Sequence, residues 1–375
     1  MTNTTFQPIR AKTAGLFDFN VKLTESQSQN TALNNTELEK KATFLHSRPK
    51  RLVFELTNAC NLNCRMCGRN DADFQLTTFN LNWIDKFENI LDHIEEVTLM
   101  GWGEPTMHPQ FISILERLSR HPVRKYFCTN GQRLIEPKIQ DALFQYKADI
   151  IAISLDGATA ATNNAIRGKG FDNVVSGLTE VVRRKKEGNF SYPYMNFVFT
   201  AMRENLRDIP DIVRLAHQIG LEEVKVVYLT AFSETMQPEI LFNQPEQVRE
   251  VFTQAAAVAS ELNIRLKLPH IQGEDPTGEG FHKPCYTAWR DLFLGSDGYL
   301  RPCMSTPIKF FHIDECDSVD MLWNHTAYQH FRAIINQKDC EPDSCRHCYQ
   351  SSFANWNQKH AFVQTGLKFS PQWNK

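Results

Sequence analysis

From Arg51 onward the chain alternates short apolar runs with helical patterns, and this rhythm restricts the fold more than any other feature. Strand-like runs lie at 51–56 (RLVFEL), 96–100 (EVTLM), 125–129 (KYFCT), 149–155 (DIIAISL), 195–200 (MNFVFT) and 223–229 (EVKVVYL), rich in β-branched and aromatic residues. Between them apolar residues recur at three- and four-residue steps: Leu81, Ile84, Phe87, Ile90 and Ile94; then Phe111, Ile114, Leu115 and Leu118; then Val174, Val175, Leu178, Val181 and Val182. Ile212, Val213 and Ala216 continue the pattern before Gly220 closes a helix. Strands that alternate with helices in this way run parallel and are joined by right-handed crossovers. The expectation is an α/β chain built on a partial (β/α)6 TIM-like barrel, with its chemistry at the carboxyl ends of the strands.

The strand ends carry suitable residues. The first strand runs into Cys60, Cys64 and Cys67, with three and then two residues between them, so three thiolates converge on one point. A mononuclear zinc site wants a fourth ligand at short spacing, and none follows for many residues. A cubane iron–sulfur cluster fits better, because three Cys can hold three irons and leave the fourth open. Ordinary buried thiols are the alternative, although three Cys in eight residues is far above background. The second strand runs into Gly101-Trp102-Gly103-Glu104-Pro105, where glycines admit close backbone approach and Glu104 can accept a hydrogen bond from an ammonium group. The third ends in Thr129-Asn130-Gly131, which read alone is a turn. The fourth ends in Ser154-Leu155-Asp156-Gly157, with Ser154 and Asp156 on one side of the strand, able to bond ribose hydroxyls or a carboxylate partner. Cys128, inside the third strand, reads as a small buried hydrophobe.

A chain of 375 residues is long enough for a barrel and a smaller module. Its formal net charge of -2, from 41 basic and 43 acidic residues, provides no field that would make nucleic acid or a membrane surface the main partner. The ten Cys fall into two clusters with a straggler, unlike a disulfide framework, and neither a signal peptide nor a membrane span is visible. A reducing cytoplasm is the expected location. Residues 1–48 read as an arm or cap, with a short helix in LNNTELEKKATFL.

Beyond the barrel, Pro245 to Leu262 reads as a helix and IRLKLP as a strand. Cys285 to Cys303 reads as strand, tight turn at Asp297-Gly298, and strand, which brings the two Cys together. Ser318 to Ile335 reads as one helix with Leu322, Trp323 and Phe331 on its apolar side, and Cys345-Arg-His-Cys348 supplies a C-x-x-C pair. Four such thiols can bind zinc. His347 is expected to be a solvated loop residue, and the tail from 351 to 375, with Trp356, Phe362 and Trp373, a surface anchor.

The C-x-x-x-C-x-x-C run at the end of the first strand resembles the signature of the radical S-adenosylmethionine (SAM) enzymes. Gly101 to Pro105 resembles the family's Gly-Gly-Glu-Pro motif, which holds the amino group of SAM, with Trp102 where the family often has its first Gly. The resemblance implies cofactor-binding roles for Gly103, Glu104, Asn130, Ser154 and Asp156, and for Arg167 as partner of the SAM carboxylate. Cys285, Gly298, Cys303, a helix containing Leu-Trp-Asn and the final C-x-x-C resemble the family's SPASM and shorter twitch modules, which hold auxiliary [4Fe-4S] clusters. It implies domains at 49–270 (radical SAM core) and 271–350 (SPASM/twitch), and one auxiliary cluster on Cys285, Cys303, Cys345 and Cys348. Cys316 and Cys340 are left over, too few for a second cluster; Cys340 can replace one of the four ligands, or either is structural. The implied activity is reductive cleavage of SAM by the [4Fe-4S] cluster on Cys60, Cys64 and Cys67 to a 5′-deoxyadenosyl radical that abstracts hydrogen. A reducing protein such as a flavodoxin or ferredoxin would supply the electron. The expected substrate is a small polar metabolite, such as an alcohol-bearing sugar or cyclitol, undergoing net oxidation with help from the auxiliary cluster. A peptide maturase is the alternative, set second because about fifty residues precede the first Cys, too few for a fused peptide-recognition domain. From another class, a non-enzymatic iron–sulfur or zinc-binding protein would need none of the strand-end groups. No residue is singled out as acting directly on substrate.

Overall fold

A computed structural model describes residues 22–71, 75–231, 234–269, 271–272, 285–304, 306–337 and 339–345. The six expected strands are present and parallel, each bonded to the next: β1 (Arg51–Phe54), β2 (Glu96–Leu99), β3 (Arg124–Thr129), β4 (Ile150–Ser154), β5 (Tyr194–Ala201) and β6 (Glu223–Tyr228). The short strand β7 (Arg265–Lys267), expected from IRLKLP, extends the row beyond β6. At the other end β8 (Asp291–Leu294) lies parallel to β1, and β9 (Leu300–Arg301) folds back antiparallel to it. The order is β7-β6-β5-β4-β3-β2-β1-β8-β9, an α/β sheet of partial-barrel type with β7 and β9 as its edges among the described residues.

Helices α2 (Phe111–Leu118), α3 (Pro137–Gln145), α4 (Ala160–Arg167), α5 (Phe171–Glu187), α6 (Ile209–Ile219) and α7 (Pro245–Leu262) fill the crossovers. Alternate strand residues such as Phe54, Leu99, Phe127, Ile153, Phe199 and Val226 meet their apolar stripes in one continuous core. Each such side chain contributes about 1.5–3 kcal/mol of burial. The opposite faces of the strands line the lumen, where Tyr126, Ile150 and Ala152 form a separate cluster with Cys128, Tyr194 and Val198 against it. Cys128 thus faces the lumen and keeps some exposure, in place of the fully packed position expected. Its thiol lies 3.0 Å from Tyr126 Oη, and burial pushes it up to about 11. At the amino ends of the strands Arg51, Glu96, Arg124 and Asp291 form a buried charged floor.

Four elements differ from expectation, each for a local reason. Leu81–Ile90 is a 3-10 helix; its apolar residues Leu81, Ile84, Phe87 and Ile90 are spaced by three, which matches the 3-10 period. The first helix, α1 (Glu25–Glu39), begins earlier than LNNTELEKKATFL, at a Thr24–Gln27 capping box. Its buried face is polar: Gln27, Asn30, Asn34 and Glu37 dock by hydrogen bonds, Asn34 Nδ2 reaching the Trp289 carbonyl at 2.7 Å. The segment expected as one helix from Ser318 to Ile335 is two, α9 (Val319–Trp323) and α10 (Thr326–Ile334). Asn324 breaks it, its carboxamide donating to and accepting from the Leu45 backbone, both at 2.8 Å, while His325 caps the second piece. In the Cys285–Cys303 hairpin the first arm opens with a helical turn, α8 (Thr287–Arg290), because Trp289 is buried and donates to the Ala42 carbonyl at 2.7 Å. The turn at Asp297-Gly298 is present, with Gly298 at φ +79°. Among the described residues no helix is long and apolar enough to cross a membrane.

Candidate functional site

The loop after β1 is clamped at its base before the first cysteine. Thr57 bridges Thr78, and Asn58, fully buried, accepts from the Thr77 amide and donates to the Gln75 carbonyl, both at 2.8 Å. Beyond the clamp Cys60, Cys64 and Cys67 are partly exposed. Cys67 N–H donates to the Cys64 carbonyl at 3.0 Å, and the Arg65 amide donates to the Ile166 carbonyl at 2.8 Å, which seats the loop on the end of α4. The three thiols are close enough to feel one another's charge. Burial pushes Cys60 up and Cys64 up to about 11, with the Arg167 guanidinium pulling Cys64 down. Among the described residues no three His, Cys, Asp or Glu side chains close around a single ion. Three thiols from one loop are the donor set that a cubane with one open iron requires.

The loop after β2 lies directly on this one. The Glu104 amide donates to the Ala59 carbonyl at 2.9 Å, and a Cβ on Gly103 would overlap the Thr57 and Ala59 carbonyls, so glycine is needed for the approach. Glu104 is only 2% exposed. Its Oε1 accepts from the Thr106 amide at 3.1 Å, Thr106 Oγ1 at 2.6 Å and Thr129 Oγ1 at 2.8 Å, and its Oε2 from the Asn130 amide at 2.7 Å. Burial pushes its carboxyl up while these donors favour the charged form. Glu104 thus joins the ends of β2 and β3. Asn130 Nδ2 in turn donates to Asn61 Oδ1 at 2.7 Å and lies 3.7 Å from Cys60 Sγ.

On the far side, Arg167 at the end of α4 pairs through Nε with Asp156 Oδ2 at 2.6 Å and points Nη1 to within 4.0 Å of Cys64 Sγ. Asp156 is fully buried and accepts from the Thr200 amide at 2.7 Å; its own amide donates to Asn163 Oδ1 at 3.0 Å. Ser154 ends β4 opposite Val198 and stays partly exposed. The structure therefore gathers Glu104 and Asn130 against Cys60, and Arg167 with Asp156 against Cys64; it does not draw Ser154 into the Asp156 pair. Sequence reasoning missed Glu55, Asn58 and Thr129. Of these Glu55 had a signal, a carboxylate set between the apolar Phe54 and Leu56 near the end of a strand run.

In the C-terminal part Cys285 is held by Asn336, whose Oδ1 accepts from the Cys285 amide at 2.6 Å and whose Nδ2 donates to its carbonyl at 2.7 Å. Asn336 stands at φ +72°, a conformation asparagine tolerates well. Cys303 is partly exposed. Thr306 Oγ1 and Ser344 Oγ, 2.9 Å apart, tie the segment after Cys303 to the one before the buried Cys345. Cys316 is packed in the core, with its carbonyl accepting from Lys86 Nζ at 2.8 Å, and Cys340 is exposed. Cys348, His347 and the tail lie outside the described residues.

Comparison with known proteins gives the same two-part picture. Residues 54–216 match the family model of the Radical SAM superfamily, and residues 285–349 match SPASM, an iron–sulfur cluster-binding domain. The chain is 34% identical over 181 residues to mycofactocin maturase MftC of Mycobacterium tuberculosis, spanning 46% of this chain and 43% of that protein. It is 25% identical to the PqqA peptide cyclase of Gluconobacter oxydans, over 81% of this chain and 84% of that one. A tungsten-containing aldehyde ferredoxin oxidoreductase cofactor-modifying protein of Pyrococcus furiosus is 22% identical, over 80% of this chain and 87% of its own. In fold, the crystal structure of Streptococcus suis SuiB bound to precursor peptide SuiA aligns with a TM-score of 0.59 at 17% identity, over 92% of this chain and 78% of that one.

Proposed function

Because the chain belongs to the radical SAM superfamily and is a radical SAM enzyme with a C-terminal SPASM iron–sulfur domain, we propose that it modifies a peptide by radical chemistry. The observation that carries this reading is the match at 34% identity to a maturase, MftC, and the match to PqqA peptide cyclase over 81% of this chain supports it. Peptide modification therefore moves ahead of the small polar metabolite that the sequence alone put first. A metabolite remains the second reading, favoured by the match to a cofactor-modifying protein over 80% of this chain.

Cys60, Cys64 and Cys67 would hold the [4Fe-4S] cluster, and Cys285, Cys303, Cys345 and Cys348 one auxiliary cluster, within a core at 49–270 and a module at 271–350. When bound, the cluster and SAM together supply a carbon radical strong enough to take a hydrogen atom from substrate. The protein's part is positional. Gly103 presents backbone to SAM, Glu104 and Asn130 fix that backbone against the Cys60 side of the loop, and the Arg167 guanidinium, oriented by Asp156, offers Nη1 to a carboxylate. Ser154, which is partly exposed, would bond a hydroxyl of the ligand. Seating the ligand at the carboxyl ends of the strands would keep water from the reacting carbon. A flavodoxin- or ferredoxin-like protein is the expected electron donor.

The test is anaerobic reconstitution followed by incubation with SAM and dithionite. Release of 5′-deoxyadenosine, abolished in Cys60→Ala, is expected, with about eight irons per chain if both clusters fill. Co-expression with short peptides encoded beside its own gene should then yield one of altered mass. Unchanged masses throughout, with a small polar metabolite consumed instead, would favour the second reading.

A further inference from the structure

Glu55 directly follows β1 and is 1% exposed, set between the buried Phe54 and Leu56. Its Oε1 accepts from the Trp102 amide at 2.8 Å, and its Oε2 accepts from the Ser296 amide at 3.2 Å and from Ser296 Oγ at 2.9 Å. Trp102 lies in the glycine loop that faces the cysteines. Ser296 lies between β8 and β9, in the hairpin that runs from Cys285 to Cys303. A Cβ on Gly101 would overlap the Glu55 side chain, so the glycine loop is moulded on this carboxylate. Ser296 Oγ is also 2.7 Å from Thr77 Oγ1, in the segment that clamps Asn58 two residues before Cys60. Burying a carboxylate is costly, and an apolar residue would complete the strand without that cost. The donors that offset it come from two separate loops, which packing alone does not require.

We propose that Glu55 is a positioning residue. It holds the Gly101–Gly103 backbone in the geometry that receives SAM and transmits the seating of the β8–β9 hairpin to that backbone, so that SAM affinity depends on Ser296, a residue of the C-terminal hairpin. This rests on the reading of the chain as a SAM-binding enzyme. Glutamine has the shape of glutamate but a single acceptor oxygen, so it cannot accept from the Trp102 and Ser296 amides together. Ser296→Ala keeps its amide bond to Glu55 and loses only the hydroxyl.

The test is equilibrium binding of SAM to the reconstituted holoenzyme, with iron content measured on every sample and the electron paramagnetic resonance of the reduced cluster recorded with and without SAM. Glu55→Gln should weaken SAM binding about tenfold and Ser296→Ala about threefold, as expected for losing one charge-assisted and part of a shared hydrogen bond. Iron content should hold, and the spectral change that SAM produces should shift in Glu55→Gln. Wild-type affinity in both variants, or a loss of affinity that only follows a loss of iron, would overturn the proposal. If Glu55→Gln does not fold, Ser296→Ala decides alone: a threefold weakening at full iron supports the proposal and wild-type affinity overturns it. A wild-type protein that binds SAM yet releases no 5′-deoxyadenosine would overturn the functional reading and leave this binding measurement intact.

Discussion

Arg167 shows how much of a site hangs on one side chain. Its Nε meets Asp156 Oδ2 at 2.6 Å while Nη1 extends toward Cys64, so one planar group serves as structural counter-ion and as candidate carboxylate binder. Breaking a buried pair by removing one partner leaves the other charge uncompensated. Arg167→Met should therefore destabilise the fold by about 3–5 kcal/mol. Denaturant unfolding would measure it, and an unchanged midpoint would contradict the pairing. Arg167→Lys should recover only part of the loss, because an ammonium cannot serve both directions. The pair was only half legible beforehand. Asp156 and Arg167 each stood out by position, but their mutual contact depends on α4 folding back over the end of β4.

At the scale of elements, the join between β1 and β8 matters most. Arg51 and Asp291 are register partners, and Arg51 Nε donates to Asp291 Oδ1 at 3.1 Å within the buried floor. Burial by itself raises Asp291, but the guanidinium groups of Arg290 and Arg51 overcome it and hold the carboxyl well below the usual carboxylate range. A carboxylate depressed on folding stabilises above its unfolded value, about pH 3.9, and loses that contribution as pH falls toward the folded value. Asp291→Asn should cost about 3–5 kcal/mol at pH 7, with the gap from wild type closing below about pH 4. Urea unfolding at several pH values would show it; a gap independent of pH would be the contrary result. The strands were legible because they are short runs rich in β-branched and aromatic residues, whereas the single helix expected from Ser318 to Ile335 was not safe. Its break at Asn324 is made by the backbone of Leu45, which sequence periodicity cannot register.

Over the whole molecule the sheet passes without interruption from the barrel into the C-terminal hairpin. An N-terminal helix with a polar inner face reinforces the join, Asn34 Nδ2 donating to Ser47 Oγ at 2.9 Å and to the Trp289 carbonyl at 2.7 Å. Shared sheet and shared core predict one cooperative unfolding transition for the two regions. Fluorescence of a variant that keeps only Trp83 and Trp102, and of one that lacks these two, would report each region separately, and two resolved transitions would contradict this prediction.

The material of the protein lies in its local residue order: a run of parallel strands, three closely spaced thiols where the first strand ends, and polar groups at the next strand ends. These are local in the chain, set by side-chain periodicity and spacing, and so they can be read from order alone. Which groups meet was decided by tertiary structure. Glu104 is shared between two strand ends, Arg167 turns to Asp156, and Glu55 spans from the glycine loop to Ser296. The contacts join residues from 11 to 241 positions apart, and only the crossovers and the pairing of β8 on β1 bring them within hydrogen-bond reach.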